Sequence, residues 1–95
     1  MKLHSTVEET RAAMRAAKRS GKRVALVPTM GALHAGHISL VRAAKSGSDF
    51  VAVSLFVNPT QFGRNEDFSQ YPRTLEADRH KLEAERVDLL FAPAI

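Results

Sequence analysis

Helices are predicted where apolar and polar residues mix at helical spacing in three separate stretches of the chain. Ser5 and Glu8 match a capping box, in which a glutamate three residues into the helix bonds back to its cap. The helix that they start is expected to end near Ser20, with Gly21 next, because glycine readily adopts the left-handed conformation that closes many helices. Further helices are predicted over residues 36–47 and 75–85.

Three apolar runs, at residues 23–27, 50–57 and 87–91, predict strands that alternate with these helices. Pro28 is expected to end the first run, because proline has no N–H group to donate to a strand ladder. The second run is almost continuously apolar, which is typical of a parallel strand covered on both faces. The alternation predicts an α/β fold with a parallel sheet. Three such strands would leave an unprotected edge, so the chain is expected to be one part of a larger α/β domain.

Composition is typical of a globular protein with one small domain. The chain has 95 residues, of which 44% are apolar and 25% are charged. No apolar run approaches the roughly 20 residues that a membrane-spanning helix needs, and the first residues lack the apolar core of a signal peptide. The absence of cysteine excludes disulfides and thiolate metal sites, and it fits a cytoplasmic protein.

The formal net charge of +4 raises the question of a nucleic-acid partner. Four basic residues cluster around one turn, namely Lys18, Arg19, Lys22 and Arg23. Such a cluster could contact phosphates, but no aromatic residues that could stack on bases interleave with it. Cations also favour the C-terminal end of a helix dipole. The cluster is therefore interpreted as the charged end of a surface helix, and no nucleic-acid partner is expected.

Candidate chemistry lies in two polar, glycine-bearing loops, at residues 28–37 and 58–63, which follow the first two predicted strands. In open parallel sheets, ligands bind outside the carboxyl ends of the strands, so both loops are expected to face one cleft. The first loop runs into a helix N-terminus, which attracts phosphate through its N–H groups and its partial positive charge. Gly31 and Gly36 would let the backbone approach a ligand closely or turn sharply.

Two histidines, His34 and His37, lie at the mouth of this anion site. Imidazole donates hydrogen bonds to phosphate oxygens, so the pair could stabilise the charge that grows as phosphorus is attacked. Zinc ligation is disfavoured, because the loop offers neither a cysteine nor a carboxylate. A glycine-containing turn with two surface histidines explains the spacing as well, and the spacing alone does not separate the two. The other histidines, His4 and His80, are expected to be solvated.

Four segments, in sequence order, resemble the pantothenate synthetase family. Residues 28–37 read Pro-Thr-Met-Gly-Ala-Leu-His-Ala-Gly-His and resemble the family signature, whose last four residues vary the His-Ile-Gly-His motif of the nucleotidyltransferase superfamily. Residues 54–63 resemble the family's Val-Asn-Pro-x-Gln-Phe block, and residues 66–75 and 87–93 resemble two further blocks. The resemblance covers essentially the whole chain.

The resemblance implies that this chain is the N-terminal part of a Rossmann-like nucleotidyltransferase domain, which a smaller C-terminal domain follows in the family. It implies a ligase of pantothenate and coenzyme A biosynthesis that works in two steps. Pantoate attacks the α-phosphate of ATP, and the amine of β-alanine then attacks the pantoyl adenylate, which releases AMP and pantothenate. Another nucleotidyltransferase of the superfamily and a non-catalytic nucleotide-binding module are the alternatives.

Carried over by position, the resemblance also assigns residues to ligands. The ATP site would comprise Met30, Gly31, Ala32, Leu33, His34, Ala35, Gly36 and His37. Both histidines would contact phosphates, and His37 would be the proton donor. The sites of pantoate and β-alanine would comprise Gln61, Asn58, Pro28, Thr29 and Met30, with Phe62 against the dimethyl group of pantoate. From the residues alone, Gln61 offers a ligand a donor and an acceptor, but an ordinary loop glutamine would look the same.

The resemblance carries further expectations. Magnesium would accompany ATP; its ligand is not assigned, and Asp78 is only a suggestion. Ala35 stands where many relatives carry an acidic residue, a difference that we expect to be tolerated. The family is usually dimeric. Because later residues of the family complete the ATP and pantoate sites, this chain alone is expected to show little or no ligase activity.

Overall fold

The computed structural model describes residues 1–56 and 75–93, and in these ranges three helices surround one four-stranded sheet. In chain order the elements are β1 (Lys2–His4), α1 (Val7–Arg19), β2 (Val24–Thr29), α2 (Ala35–Gly47), β3 (Phe50–Leu55), α3 (Leu75–Ala84) and β4 (Leu89–Phe91). Neighbouring strands run parallel, in the spatial order β1-β4-β3-β2. The predicted α/β class with a parallel sheet is confirmed.

Helices cover both faces of the sheet, because successive residues of a strand point to opposite sides. On one face, Val41 of α2 and Leu82 of α3 belong to the same buried cluster as Val53 of β3. On the other face, residues of α1 line a groove of about 380 Å³ together with Phe50 and Leu89. Burial on both sides explains why the segment that forms β3 is almost continuously apolar.

The first helix begins one residue later than the capping pattern predicts. Thr6, not Ser5, is the cap: its hydroxyl accepts from the backbone N–H of Glu9 (3.2 Å) and donates to the Glu9 carboxylate (2.8 Å). Both Ser5-to-Glu8 and Thr6-to-Glu9 have the spacing of a capping box, so spacing alone does not choose between them. At the other end, Gly21 has the predicted left-handed conformation, with φ +86°.

The strand β1 was not predicted, and it leaves His4 half-buried, where a solvated side chain was expected. A segment of three residues, two of them polar, is too short to show a periodic pattern in the sequence. The strand forms because it pairs with β4, where His4 lies opposite Phe91. The Nδ1 atom of His4 is buried and has no hydrogen-bond partner within the described ranges. His80, by contrast, is exposed on α3 as predicted.

Pro28 does not end β2, which continues through it to Thr29. In a parallel ladder, alternate residues turn their N–H and C=O groups toward the same neighbouring strand. The carbonyl oxygen of Thr29 accepts from the N–H of Phe56 (3.0 Å), so Thr29 faces β3 and Pro28 faces the other side. Proline therefore removes no hydrogen bond between β2 and β3, and the strand delivers Thr29 to the edge of the sheet.

The remaining boundaries follow the predictions closely. The helices α2 and α3 end within one residue of their predicted ends, and β4 begins at Leu89 rather than at residue 87. Lys18 and Arg19 lie in the last turn of α1, as expected for the charged end of a surface helix. None of the three described helices is long and apolar enough to cross a membrane.

Candidate nucleotide-binding site

The carboxyl ends of β2 and β3 meet at one edge of the sheet, where Thr29 pairs with Leu55. The hydroxyl of Thr29 donates to the carbonyl oxygen of Ser54 on β3 (2.9 Å) and accepts from the N–H of Gly31 (3.3 Å). Thr29 is buried, at 8% exposure. Its side chain therefore links the neighbouring strand to the start of the loop that leads into α2, and it fixes where that loop leaves the sheet.

The loop between β2 and α2 turns through two successive left-handed residues, Gly31 with φ +90° and Ala32 with φ +52°. Glycine adopts this conformation without steric cost, but alanine does so uncommonly. Leu33 follows and buries its side chain in the core, at 3% exposure. An unusual backbone at Ala32 implies that bonds from elsewhere in the fold hold the loop.

Those bonds come from α3. The carboxylate of Asp78 accepts two consecutive loop N–H groups, from Ala32 (3.0 Å, Oδ2) and from Leu33 (2.8 Å, Oδ1). One turn further along α3, the amine of Lys81 donates to the carbonyl oxygen of Leu33 (2.7 Å). Asp78 is 1% exposed. This contact was not predicted from the sequence, although an aspartate on the same helical face as Leu82 was a usable signal.

His34 and His37 bind each other's backbone across the first turn of α2. His34 is the N-cap, and its Nδ1 accepts from the N–H of Gly36 (3.0 Å), while Nδ1 of His37 accepts from the N–H of His34 (3.1 Å). The ring centroids are 4.1 Å apart. Because each Nδ1 accepts a hydrogen bond, a neutral ring carries its proton on Nε2. The pair therefore presents two adjacent Nε2–H donors.

The electrostatics of this helix N-terminus favour an anion. Aspartate is a common N-cap, and its charge would offset the partial positive charge of the helix end. Here the cap is an imidazole, and the first turn of α2 contains no acidic residue. Ala35, the first residue of α2, adds no charge either. The positive end of the helix dipole is thus left available to a phosphate.

Gly36 is required by the ring beside it. A Cβ atom at this position would lie 2.9 Å from Cε1 and 3.1 Å from Nδ1 of His34. Real Cβ atoms essentially never show a contact under 3.0 Å, so any larger residue would displace the imidazole. The predicted close approach at Gly36 is therefore present, but the group that approaches it is a side chain of the site itself.

The structure brings together the part of the predicted site that lies in residues 28–37. Met30 is 50% exposed beside the loop, and Pro28 is also exposed, so both side chains are accessible to a ligand. The side chain of Leu33, by contrast, is buried in the core and is not accessible to a ligand. Asn58, Gln61 and Phe62 lie outside the described residues, so their assignment to pantoate and β-alanine stays a prediction.

No magnesium ligand is assigned among the described residues. No group of three or more histidine, aspartate or glutamate side chains in these ranges is placed to hold a metal ion. Asp78, the suggested ligand, is buried and directs both oxygens to backbone N–H groups, whereas magnesium usually keeps several waters. We therefore assign no metal ligand and derive no step through the metal.

A parallel sheet covered by helices on both faces, with a glycine-bearing loop that enters a helix N-terminus at its carboxyl edge, defines a Rossmann-like α/β protein. Residues 2–95 match the family model described as pantoate-beta-alanine ligase. The chain belongs to that family, which confirms the resemblance found in its sequence.

Similar proteins include the pantothenate synthetase of Thermoanaerobacter sp. (strain X514), which is 60% identical over 89 residues, covering 94% of this chain and 31% of the relative. The crystal structure of pantothenate synthetase from Thermus thermophilus superposes with a TM-score of 0.82 at 51% identity, covering 99% of this chain and 32% of that one. Pantoate-beta-alanine ligase from Francisella tularensis, complexed with beta-gamma ATP and beta-alanine, gives a TM-score of 0.84 at 42% identity, with coverages of 98% and 35%. The chain spans about a third of the length of these relatives.

Proposed function

We propose that this chain supplies the ATP-phosphate part of the active site of a pantoate–β-alanine ligase, which forms pantothenate through pantoyl adenylate. The observation that carries the proposal is the pair of imidazoles at the N-terminus of α2, each with its Nδ1 bonded to backbone and its Nε2–H left for a ligand. Family membership and the Francisella complex with beta-gamma ATP and beta-alanine support it.

In the first step, a carboxylate oxygen of pantoate forms a bond to the α-phosphorus of ATP, and the bond from that phosphorus to the bridging oxygen breaks. Negative charge grows on the phosphate oxygens and on the departing pyrophosphate. Two Nε2–H donors, from His34 and His37, would stabilise this charge, and they are already oriented by their own Nδ1 bonds. Donors held in place before the reaction need no reorganisation during it. The resemblance also makes His37 the candidate proton donor to the leaving oxygen, a role that requires the imidazolium form, because a neutral ring would be left as imidazolate. In that form Nδ1 of His37 would carry a proton and give up its bond with the His34 N–H.

In the second step, the amine of β-alanine attacks the acyl carbon of pantoyl adenylate. The C–N bond forms, the bond from carbon to the AMP oxygen breaks, and the amine loses a proton. Gln61 and Asn58 are proposed to bind pantoate and β-alanine, with Pro28, Thr29 and Met30 beside them. Magnesium, which is expected to accompany ATP, would neutralise phosphate charge. As part of the same proposal, the complete protein is a cytoplasmic homodimer and binds no nucleic acid.

A chimera tests the proposal, because the chain spans only a third of its relatives. The corresponding N-terminal third of the Thermoanaerobacter enzyme is replaced by these 95 residues, and two reactions are measured. Pantoate should support ATP–pyrophosphate exchange, and addition of β-alanine should yield pantothenate. Exchange that depends on a different carboxylate would instead support another nucleotidyltransferase. The isolated chain is expected to show little or no turnover.

Two histidine variants of the chimera test the observation that carries the proposal. His37→Ala removes one Nε2–H donor and is expected to lower kcat by about 100- to 1,000-fold, as loss of an oxyanion-stabilising donor does in other enzymes. His80→Ala, at an exposed position on α3, is the matched control and should leave kcat unchanged. Equal activity of the two variants would contradict the assignment of charge stabilisation to the imidazole pair.

A further inference from the structure

The helix α3 contacts the β2–α2 loop through two side chains of opposite charge, one turn apart. Asp78 accepts the N–H groups of Ala32 and Leu33, and Lys81 donates to the carbonyl oxygen of Leu33. The two residues of this loop segment thus make three hydrogen bonds with two side chains of a helix that lies at least 45 positions later in the chain. We refer to Asp78 and Lys81 together as the α3 clamp.

We propose that Asp78, assisted by Lys81, is a positioning residue for the nucleotide loop: it fixes the backbone that places the His34 and His37 imidazoles. This inference rests on the proposed function. In this role Asp78 touches no reacting atom and acts through the loop. It thereby receives a role different from that of the magnesium ligand suggested by sequence.

The loop conformation needs such a restraint. Ala32 has φ +52°, a conformation that non-glycine residues avoid because Cβ approaches the following backbone. Such conformations persist where the surrounding structure holds them. The bidentate carboxylate holds two successive N–H groups on the same side of the loop, and a charged acceptor makes these bonds stronger than neutral ones. The carboxylate therefore offsets the cost of the left-handed turn.

The α3 clamp holds the residue that comes directly before the two imidazoles in the chain. Leu33 is held at its N–H and its carbonyl group and is buried in the core, and the next residue is His34, the N-cap of α2. A shift of Leu33 would move the cap, and the bond from the His34 N–H to Nδ1 of His37 would move with it. Misplacement of about 1 Å can cost about 100-fold in rate, so a small change in the loop affects both imidazoles.

The clamp also decides which donors a phosphate can use. The N–H groups of Ala32 and Leu33 are bonded to the carboxylate, so they do not serve the nucleotide in this conformation. The donors left to an anion from this region are the imidazole Nε2–H groups and N–H groups of the first turn of α2. Loss of the clamp would therefore weaken phosphate positioning without removing a phosphate contact.

Hydrogen exchange in the isolated chain tests the clamp without any assay of function. In Asp78→Asn the side chain keeps one acceptor oxygen, and its NH₂ group, which cannot accept, replaces the oxygen that accepted the second loop N–H. Exchange at the Ala32 and Leu33 amides should become at least about tenfold faster, since each 1.4 kcal/mol of lost bonding is about tenfold. The matched control is Asp88→Asn, because Asp88 accepts the N–H of Val51 (2.8 Å) at the opposite end of the strands. The control should leave both loop amides protected.

Kinetics in the chimera test the positioning role. Asp78→Asn should lower kcat/KM for ATP by about 10- to 100-fold while KM for β-alanine stays within about twofold. Lys81→Met, which removes one hydrogen bond and leaves the buried carboxylate in place, should cost about three- to tenfold. The double variant should lose less than the product of the two, because both residues hold the same segment. Asp88→Asn should stay within about twofold of the parent.

The outcomes separate the clamp from the proposed function. If the parent chimera makes pantothenate and Asp78→Asn matches it, or if Asp88→Asn loses as much activity, the positioning role is wrong. If Ala32 and Leu33 exchange at the parent rate in Asp78→Asn, the clamp itself is wrong. A parent chimera without activity would overturn the proposed function, and the positioning role would be overturned with it, while the exchange result would still decide whether α3 restrains the loop.

Discussion

Replacement of Gly36 by alanine separates the stability of α2 from the geometry of its N-terminus. Gly36 is helical, and φ is not in the left-handed region, so alanine fits the backbone. The obstacle is the side chain of His34, whose Cε1 atom would lie 2.9 Å from the new Cβ. The imidazole must rotate away, and it then loses the bond from the Gly36 N–H to its Nδ1.

Two opposing terms set the change in the free energy of unfolding. Alanine in place of glycine in a helix contributes about 0.5–1 kcal/mol, whereas loss of a side-chain N-cap costs about 0.5–2 kcal/mol. The difference lies between about 0.5 kcal/mol of stabilisation and about 1.5 kcal/mol of destabilisation. For a chain of this size, each kcal/mol shifts Tm by about 4–8 °C. Gly36→Ala should therefore change Tm by no more than about 12 °C and leave the chain folded.

Activity should respond far more than stability, because rotation of the His34 ring removes one of the two Nε2–H donors from its place. We expect kcat of the chimera to fall by about 100-fold, the loss typical of a misplaced or missing charge-stabilising group. Gly47→Ala is the matched control in the same helix. A Cβ at Gly47 meets no atom within 4 Å, so this variant should gain stability and keep its activity.

The assay is thermal unfolding of the isolated chain together with ATP–pyrophosphate exchange by the chimera, for both glycine variants. Full exchange activity in Gly36→Ala would refute the reasoning, because it would show that the imidazole position seen at the cap is not the one that acts on phosphate. Equal losses of activity in Gly36→Ala and Gly47→Ala would refute it as well, since only the first change touches the histidine.

Three further predictions concern the fold. Because Thr6 is the cap of α1, Thr6→Ala should lower the free energy of unfolding by about 1 kcal/mol in denaturant titrations, and Ser5→Ala should leave it almost unchanged. A larger loss in Ser5→Ala than in Thr6→Ala would show that Ser5 is the cap, as the sequence predicted. The pKa of Asp49 is held below its ordinary value first by the backbone N–H of Arg23 and then by its guanidinium. The stability that Asp49 contributes is complete above about pH 4 and is lost as the pH falls through the lowered pKa. In Asp49→Asn, Tm should therefore fall less steeply as the pH is lowered below about 4. An unchanged decrease of Tm in acid would contradict this. Leu82→Ala, at a fully buried position, should cost about 2–5 kcal/mol in the same titrations, and a cost under about 1 kcal/mol would show that α3 does not pack as described.

Local sequence determined the elements whose signal is complete within a few residues. The apolar run of β3 needs no knowledge of its neighbours, since burial on both faces leaves no room for alternation. Gly21 likewise ends α1 through its own backbone freedom. The order of strands and helices then restricts the fold to a parallel α/β sheet, and the carboxyl edge of that sheet places residues 28–37 in the site.

Only the tertiary structure decided the features that depend on residues far apart in the chain. The strand β1 exists because it pairs with β4, and Pro28 is tolerated in β2 because its missing N–H faces away from β3. The same holds at the site: sequence identified the histidines and glycines of the loop, but not the carboxylate of Asp78 that holds the loop from 45 positions away. A hydrogen bond across such a distance leaves no periodic pattern, because its two ends are brought together only by the packing of α3 against the sheet.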